Sequence, residues 1–400
     1  MVFLCKISNL PLWVCGVTFA LAGGAGLVAC GGSDAPTPAP TPIVAPVAQV
    51  TTAYTVSLSG DQEQPTATTT GGLGTGSLTL ASPSLVISGG ITVSGITATA
   101  AHIHQGAAGT NGPVIVPLTA SPTGGGVWTV PSGTTVTQAQ AEALVAGGLY
   151  FNAHTLANPG GDVRGQIGRD VFAVQLSPGQ EVPPNTTTAS AKGLLVLDPV
   201  SKKFSATVTT AGMISTAAHI HTGAVGANGG VTFPFTEISP GSGVWTAAAD
   251  VSMTDTQIAT LKAGGMYFNV HSAAFTGGQV RGQIGRNVGV ASMTGAQEVP
   301  AVASSATGTG TLVVDPTTRA ASGGIVVSGI TPLFAHIHLA GTGTNGPVIV
   351  PLTDAGGGVF NVPAGTVLTA DQFSAFKLGN LYFNAHSTAF ASGEIRGQIR

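Results

Sequence analysis

The sequence is poor in cysteine and in charge, and each shortage excludes a class of protein. The only cysteines among the 400 residues are Cys5, Cys15 and Cys30, so the chain after residue 30 has no disulfide and no thiol nucleophile. Only 13 basic side chains accompany 16 acidic ones, without a basic patch, which argues against a nucleic-acid partner. After about residue 50, no apolar run approaches the roughly 18 residues that a membrane-spanning helix requires.

The first thirty residues have the pattern of an export signal rather than of a folded domain. A weakly positive start and a long apolar stretch lead to Leu27-Val28-Ala29-Cys30. This ending resembles the signal of bacterial lipoproteins, in which the cysteine is lipidated and becomes the first residue. We therefore interpret residues 1–29 as a lipoprotein signal peptide and Cys30 as the lipidation site. The alternative is an ordinary signal peptide, or a membrane anchor, with a chance cysteine.

The segment that follows is interpreted as a spacer. Residues 30–51 comprise the lipidated cysteine and a Pro-rich tether, which should be extended rather than packed. We expect a location in the cell envelope, with the lipid on Cys30 as the contact with the membrane. Gly31 follows the cysteine, so the Asp that retains some lipoproteins in the inner membrane is absent. By resemblance to that sorting rule we expect the outer membrane, with the protein facing the periplasm or the cell surface.

The rest of the chain is one unit written three times, over residues 52–169, 170–286 and 287–400. His102 to His219 and His219 to His336 are each 117 residues apart. Short alternating apolar and polar stretches, separated by turns such as Asn111-Gly112, predict about eight strands per repeat. We expect an all-β chain of three tandem Greek-key sandwich or barrel domains. No Pro/Ser-rich linker separates the repeats, which predicts a fairly rigid rod.

One segment in each repeat departs from the strand pattern. Thr137-x-x-Gln140 precedes an Ala-rich stretch and a glycine, and equivalent segments begin at Thr254 and Thr369. Thr-x-x-Gln is a capping box, in which the hydroxyl accepts from a free backbone N–H and the amide reaches back to the cap. Glycine is a common residue just beyond a helix end. Each repeat should therefore contain one short helix directly before the strand that carries its last histidine.

Four sequence blocks in each repeat resemble the CHRD domain, named after the chordin proteins and also found in bacterial exported proteins. In the second repeat they are Gly179-Gln-Glu-Val-Pro183, Ala218-His-Ile-His221, Gly264-Gly-Met-Tyr-Phe-Asn-Val-His271 and Arg281-Gly-Gln-Ile284. The resemblance implies an exported location and a fold family. Chordin domains are associated with growth-factor antagonism, but a bacterial lipoprotein has no such partner, so that function is not carried over.

All nine histidines belong to the repeat. Each copy has an Ala-His-x-His pair and, about fifty residues later, a Tyr-Phe-Asn-x-His. Residues two apart in a strand share a face, so three imidazoles converge if the two strands are neighbours. Three histidines with an open fourth position suit copper or zinc. The candidate ligands are His102, His104, His154, His219, His221, His271, His336, His338 and His386.

Two other interpretations of these histidines stay open. They could be hydrogen-bonded packing residues, or they could contact another ligand. The pattern is also similar to Cu/Zn superoxide dismutase, a Greek-key sandwich that takes copper ligands from a His-x-His strand and from a later strand ending in histidine. That likeness is partial, because the chain has no bridging histidine, no carboxylate-bearing zinc loop and no disulfide pair.

A glutamate and an arginine recur at matching places near the two ends of each repeat. In a chain so poor in charge, we favour the interpretation that these two residues form an ion pair between the first and last strands of the repeat. Buried ion pairs determine which strands lie together more reliably than they stabilise the fold. The alternative is an arginine that guides an anion beside the histidine site. The candidate pairs are Glu63 with Arg164, Glu181 with Arg281, and Glu298 with Arg396.

The sequence carries no recurrent catalytic constellation. A nucleophile elbow, a phosphate loop, a reproducibly placed serine triad and a repeated carboxylate pair are all missing, so no catalytic residue is assigned. We expect a monomer with a binding or scaffolding role toward an extracellular or periplasmic ligand. A copper or zinc module with one site per domain is the alternative, and a redox enzyme of the superoxide dismutase type is the least favoured.

Overall fold

The computed structural model describes residues 48–400. The predicted signal peptide, Cys30 and most of the predicted tether lie outside these described residues. Within them, strands and helices follow one another in nearly the same order three times. No helix of residues 48–400 combines the length and the apolar character needed to cross a bilayer.

The elements of the first repeat are β1 (Val50–Ser59), β2 (Leu73–Ser82), β3 (Val86–Ser94), β4 (Ala100–Gln105), β5 (Val114–Pro117), β6 (Thr119–Ala120), β7 (Val127–Thr129), α1 (Gln138–Val145), β8 (Leu149–His154) and β9 (Val163–Gln166). Those of the second are β10 (Asp170–Leu176), β11 (Ser190–Leu197), β12 (Phe204–Ala211), β13 (Ser215–Thr222), β14 (Val231–Glu237), β15 (Val244–Ala247), α2 (Asp255–Lys262), β16 (Met266–Ser272) and β17 (Val280–Gln283). Those of the third are β18 (Asn287–Thr294), β19 (Thr307–Val314), β20 (Ala321–Ser328), β21 (Phe334–Leu339), β22 (Val348–Pro351), β23 (Thr353–Gly356), β24 (Val359–Asn361), α3 (Ala370–Lys377), β25 (Leu381–His386) and β26 (Ile395–Gln398).

Each repeat is an antiparallel barrel. The second repeat has an 8-stranded sheet in the order β10-β11-β12-β15-β14-β13-β16-β17. Its end strands also meet, because Ser177, directly after β10, bridges to Arg281 in β17. The first repeat has the same arrangement in nine segments, since Leu118 interrupts one strand into β5 and β6, and the barrel closes where Ser59 pairs with Arg164. Closure removes the free strand edges that promote aggregation.

The strand connections confirm the predicted Greek-key fold class. In the second repeat β12 pairs with β15 rather than with the next strand in the chain, so β13 and β14 lie on the far side of that crossover. The first and third repeats have the equivalent pairings of β3 with β7 and of β20 with β24. The predicted all-β chain of three Greek-key domains with short helices is therefore correct.

Alternation along the strands separates a barrel core from a second, polar layer. In β8, Leu149, Phe151 and Ala153 are fully buried in the apolar core, and so is Ile103 of the neighbouring β4. The intervening side chains of both strands point to the opposite face, as period two requires. In β8 these outward residues are still mostly buried, because the loops that follow β4 and β8 cover them. A covered polar layer of this kind is where a site can form.

The predicted capping boxes are present in all three helices. The Thr137 hydroxyl accepts from the Gln140 backbone N–H at 3.2 Å, and the Gln140 side chain accepts from the Thr137 backbone N–H at 2.8 Å. The same reciprocal pairs cap α2 and α3. Gly147 follows α1 with a φ of +75°. The short helices before β8, β16 and β25 are therefore specified by local sequence.

The predicted rod is wrong, because the first and third repeats touch. Lys377 of α3 forms a salt bridge of 2.8 Å with Asp61, and Arg319 donates to the Gly71 carbonyl at 3.2 Å. Gly71 permits this approach, since a Cβ there would lie 1.8 Å from the Ala370 carbonyl oxygen. Each junction along the chain is also bridged, by Arg169 with Asp198 and by Arg286 with Asp315. The three barrels therefore pack against one another.

Candidate metal centre

The pairing of β4 with β8 brings the three histidines of the first repeat together. His102 lies opposite Asn152, His104 opposite Tyr150, and His154 opposite Ala100. The corresponding strands of the other repeats pair in the same way. The sequence placed the histidines on two strands, and this pairing supplies the convergence that the metal hypothesis required.

The three imidazoles of each repeat are close enough to share one ion. His102 Nδ1 lies 3.0 Å from His154 Nε2, and the equivalent separations are 3.1 Å and 3.2 Å in the second and third repeats. In each repeat one nitrogen from each of the three rings lies within 4.8 Å of the others. Two ligand atoms bonded to one ion at about 2.0–2.1 Å lie at most about 4.2 Å apart. The closest pair in each cluster already meets this limit, and a separation of 4.8 Å would have to shorten by several tenths of an ångström.

Backbone carbonyls fix the tautomers of two of the three rings. His104 Nδ1 lies 2.9 Å from the Gly112 carbonyl oxygen, and His154 Nδ1 lies 3.0 Å from that of Pro159. A carbonyl only accepts, so both Nδ1 atoms carry the proton and both Nε2 atoms present a lone pair. The carbonyls of Gly229, Thr276, Gly346 and Ala391 do the same in the other repeats. Such outer hydrogen bonds are typical of metal-binding histidines.

One ring nitrogen in each cluster is buried without a hydrogen-bond partner among the described residues. It is Nε2 of His104 and of its equivalents His221 and His338. A buried polar atom left unpaired costs roughly 1–3 kcal/mol. A purely structural hydrogen-bond network would be expected to satisfy this atom, whereas a metal ligand needs its lone pair free. The observation therefore favours a ligand role over packing alone.

The environment keeps the imidazoles neutral. Burial is the main cause that lowers the pKa of every histidine in the three clusters, and the neighbouring imidazoles lower most of them further. The pKa of His386 falls furthest, to about 4, again chiefly because of burial. Neutral imidazole is the form that binds a metal. The lowered pKa values therefore favour the uncharged imidazoles at neutral pH.

A tyrosine that the sequence interpretation did not assign to the site supports the second histidine. The Tyr150 ring stacks on His104 with centroids 4.9 Å apart and planes 12° from parallel. The Arg164 guanidinium carbon lies 3.6 Å from the centroid of the same ring. The Tyr150 hydroxyl accepts from the Gly112 backbone N–H at 3.1 Å, beside the carbonyl that holds His104. The sequence feature that could have identified this tyrosine is its presence in the Tyr-Phe-Asn-x-His motif of every repeat.

The predicted ion pairs are not formed as direct contacts. None of the salt bridges among residues 48–400 joins Glu63 to Arg164 or links either equivalent pair. Arg164 instead donates to the Ala107 carbonyl at 2.9 Å and to Gln166 Oε1 at 3.2 Å. It is 1% exposed, so it is not positioned to guide an anion from solvent. Tyrosine stacking and carbonyl acceptors take the place of the carboxylate.

The glutamate forms its own buried contact. Asn152 Nδ2 donates to Glu63 Oε2 at 3.4 Å, and Asn384 donates to Glu298 in the same way. Burial raises the pKa of Glu63 to about 8, and those of Glu181 and Glu298 to about 7, although the nearby arginine opposes this. Glu63 Oε1 and Asn152 Oδ1 are buried without donors. A protonated carboxyl supplies a donor in such surroundings, so Glu63 is best described as a neutral acid.

The fold and the clusters together define a class of protein: tandem Greek-key β-barrels, each with a three-histidine cluster in a covered polar layer outside the barrel core. The chain belongs to the CHRD family, since the CHRD domain matches residues 54–167, 172–284 and 290–399. The resemblance read from the sequence blocks is thus confirmed. Comparisons with curated proteins and with solved structures found no match to the chain.

Proposed function

We propose that each CHRD domain of this chain binds one copper or zinc ion through three imidazoles. In the first repeat the ligand atoms are His102 Nδ1, His104 Nε2 and His154 Nε2. The observation that carries the proposal is the buried, unpartnered Nε2 of His104, in a ring of which one nitrogen lies within 4.8 Å of nitrogens on the two other histidines. Repetition of the same arrangement in three repeats supports it further.

The donor set favours particular ions. Imidazole nitrogen suits copper and zinc, whereas magnesium and calcium prefer oxygen ligands. No carboxylate belongs to any of the three clusters. Three protein ligands leave a fourth position for water or an exogenous group. The cluster is therefore suited to binding an ion that keeps one exchangeable ligand.

Binding would change one hydrogen bond in each cluster. His154 Nδ1 carries a proton for the Pro159 carbonyl, so the short contact with His102 requires the proton of His102 to be on Nδ1. An ion that takes both of these nitrogens requires His102 to move that proton to its Nε2. This is a change of tautomer and not of charge, so binding should release few protons at neutral pH.

Metal counting tests the proposal. The chain from Ser33 onward would be loaded with Zn²⁺ or Cu²⁺, dialysed and assayed for metal per chain, with about three ions expected from one site per domain. His102→Ala should lower the count by one. Gln105→Ala, which changes the exposed end of the same strand, is the matched control and should leave it unchanged. No retained metal in the wild type would refute the site, and a superoxide assay on loaded protein tests redox activity.

The lowered histidine pKa values make a second check. Release of metal by acid requires protons to compete for the imidazoles, whose pKa lies below the usual 6.5 because of burial. We expect zinc to stay bound at pH 6.5 and to be lost only at lower pH. Dialysis against buffers of decreasing pH, followed by metal analysis, measures the midpoint. A midpoint above pH 6.5 would contradict the proposed ligands.

We also propose that the protein is held in the cell envelope by lipid on Cys30, as a binding or scaffolding module on a Pro-rich tether. The support is the sequence Leu27-Val28-Ala29-Cys30 and the Pro-rich segment that follows it. Partition into detergent after expression tests this directly. The wild type should enter the detergent phase and Cys30→Ser should not. Equal partition of both would refute lipidation.

A further inference from the structure

The three histidine clusters differ at one adjoining position. Ala100 and Ala217 stand two residues before the histidine pair in the first and second repeats, and Phe334 stands there in the third. In each repeat this residue lies opposite the last histidine across the strand pair, as Phe334 lies opposite His386. The third site therefore carries a phenyl ring where the other two carry a methyl group.

The Phe334 ring lies directly against two of the three imidazoles. Its centroid is 4.6 Å from that of His386 and 5.4 Å from that of His336. Phe334 is itself 39% exposed, so it stands between the cluster and solvent rather than in the barrel core. His386 is 5% exposed, whereas His154 and His271 are only partly buried. The ring therefore covers the imidazole that is more open in the other repeats.

We propose that Phe334 makes the third site a shielded one, so that the chain holds one slowly exchanging metal ion and two readily exchanging ones. This rests on the proposed metal-binding function. Metal transfer to an acceptor requires water or an incoming ligand to reach the ion. An apolar side chain beside the ligands restricts that access and lowers the local dielectric. Among the side chains at this position, only that of Phe334 is large enough to do so.

Release kinetics distinguish the sites. The wild type, loaded with three equivalents of Zn²⁺, would be mixed with excess chromogenic chelator in a stopped-flow instrument. We expect two equivalents in a fast phase and one in a phase roughly tenfold slower, at the lower end of the effects seen around metal ligands. Phe334→Ala should give a single fast phase. Ala217→Phe should give one fast and two slow equivalents.

Two further variants make the assignment specific. Leu333→Ala removes the neighbouring apolar side chain, which is 56% exposed, and should leave two fast and one slow equivalent. His336→Ala should abolish the slow phase, because it removes a ligand of the shielded site. Thermal unfolding of each variant verifies that the barrels remain folded.

Different results would refute the shielding by Phe334 and the binding of metal. Release of all three equivalents in one phase by the wild type, or a slow phase that persists in Phe334→Ala, overturns the shielding and leaves the three metal sites standing. A slow phase that disappears in His102→Ala instead of His336→Ala also overturns it. A folded wild type that retains no zinc overturns the metal-binding function and this inference with it.

Discussion

The buried glutamates should make the protein less stable as pH rises through neutrality. Glu63→Gln should remove the part of this pH dependence that comes from the first repeat. In the folded chain burial raises the pKa of Glu63 from 4.5 to about 8. Below pH 4.5 the carboxyl is protonated in both states. Between about 4.5 and 8 the unfolded chain gives up the proton while the folded chain keeps it, so the free energy of unfolding falls with rising pH.

The size of the effect follows from the pKa difference. Each pH unit within this window is worth about 1.4 kcal/mol for one group, which sets an upper bound of roughly 5 kcal/mol for Glu63 over the whole window. The histidines act in the opposite direction, but only below their usual pKa of 6.5, because their folded pKa values are lowered. Between pH 6.5 and 8 the histidines therefore do not mask the effect of the glutamates. Over this range ionisation of Glu63 should lower the free energy of unfolding by about 2 kcal/mol.

Two measurements test this reasoning. Urea unfolding at pH 6.5 and at pH 8 should show a loss of stability in the wild type that is smaller by about 2 kcal/mol in Glu63→Gln. The exposed Glu142→Gln on α1 is the matched control and should behave as the wild type. Carbon-13 NMR of labelled glutamate carboxyls should show a resonance that titrates near pH 8 and disappears in Glu63→Gln. A carboxyl that is already ionised at pH 6 would refute the neutral-acid assignment.

Three further substitutions test the structure by denaturant unfolding. Gly161→Ala should destabilise the first repeat by more than about 1 kcal/mol, because the φ of Gly161 is +143° and a Cβ there would lie 2.5 Å from Asn152 Nδ2. Gly160→Ala is the control and should be tolerated, because the space around Gly160 is open. Equal effects of the two would contradict the packing described. Thr137→Ala should cost about 1 kcal/mol through loss of the capping box, and Thr137→Ser should restore most of it. Arg281→Lys should lower the free energy of unfolding by about 1–3 kcal/mol, because lysine cannot replace the stacking on Tyr267 or make both carbonyl contacts. An unchanged denaturation midpoint would show that these contacts do not stabilise the second repeat.

The features predicted correctly from the sequence are those written in local patterns. Period-two alternation places Phe151 inside the barrel and His154 outside, and the capping box at Thr137 involves residues only three apart. The convergence of the histidines was predicted only on the condition that two strands are neighbours, which the register of β4 with β8 satisfies. Which strands are neighbours depends on pairing between segments far apart in the chain, and this pairing is not visible in a single sequence.

The predictions that failed concern contacts between distant segments. The ion pair of Glu63 with Arg164 was inferred because charge is scarce, but Arg164 satisfies its guanidinium with carbonyls and the Tyr150 ring. The Ala107 carbonyl lies in a loop whose path no periodicity describes. The rod was inferred from the short junctions between repeats, which limit spacing but not direction. The contact of Gly71 with Ala370 fixes that direction, and nothing in the local pattern around Gly71 marks it.

The contact between the first and last repeats bears on copy number. In an open array a duplicated unit is added at a free end and meets the same kind of neighbour as before. Here Lys377 is already paired with Asp61 across the ring of barrels, and α3 already rests on Gly71. A fourth unit inserted between them would have to break the Lys377–Asp61 salt bridge and the contact of Gly71 with Ala370. The three described repeats therefore differ from an open array, because adding a unit between the first and the third would cost existing contacts.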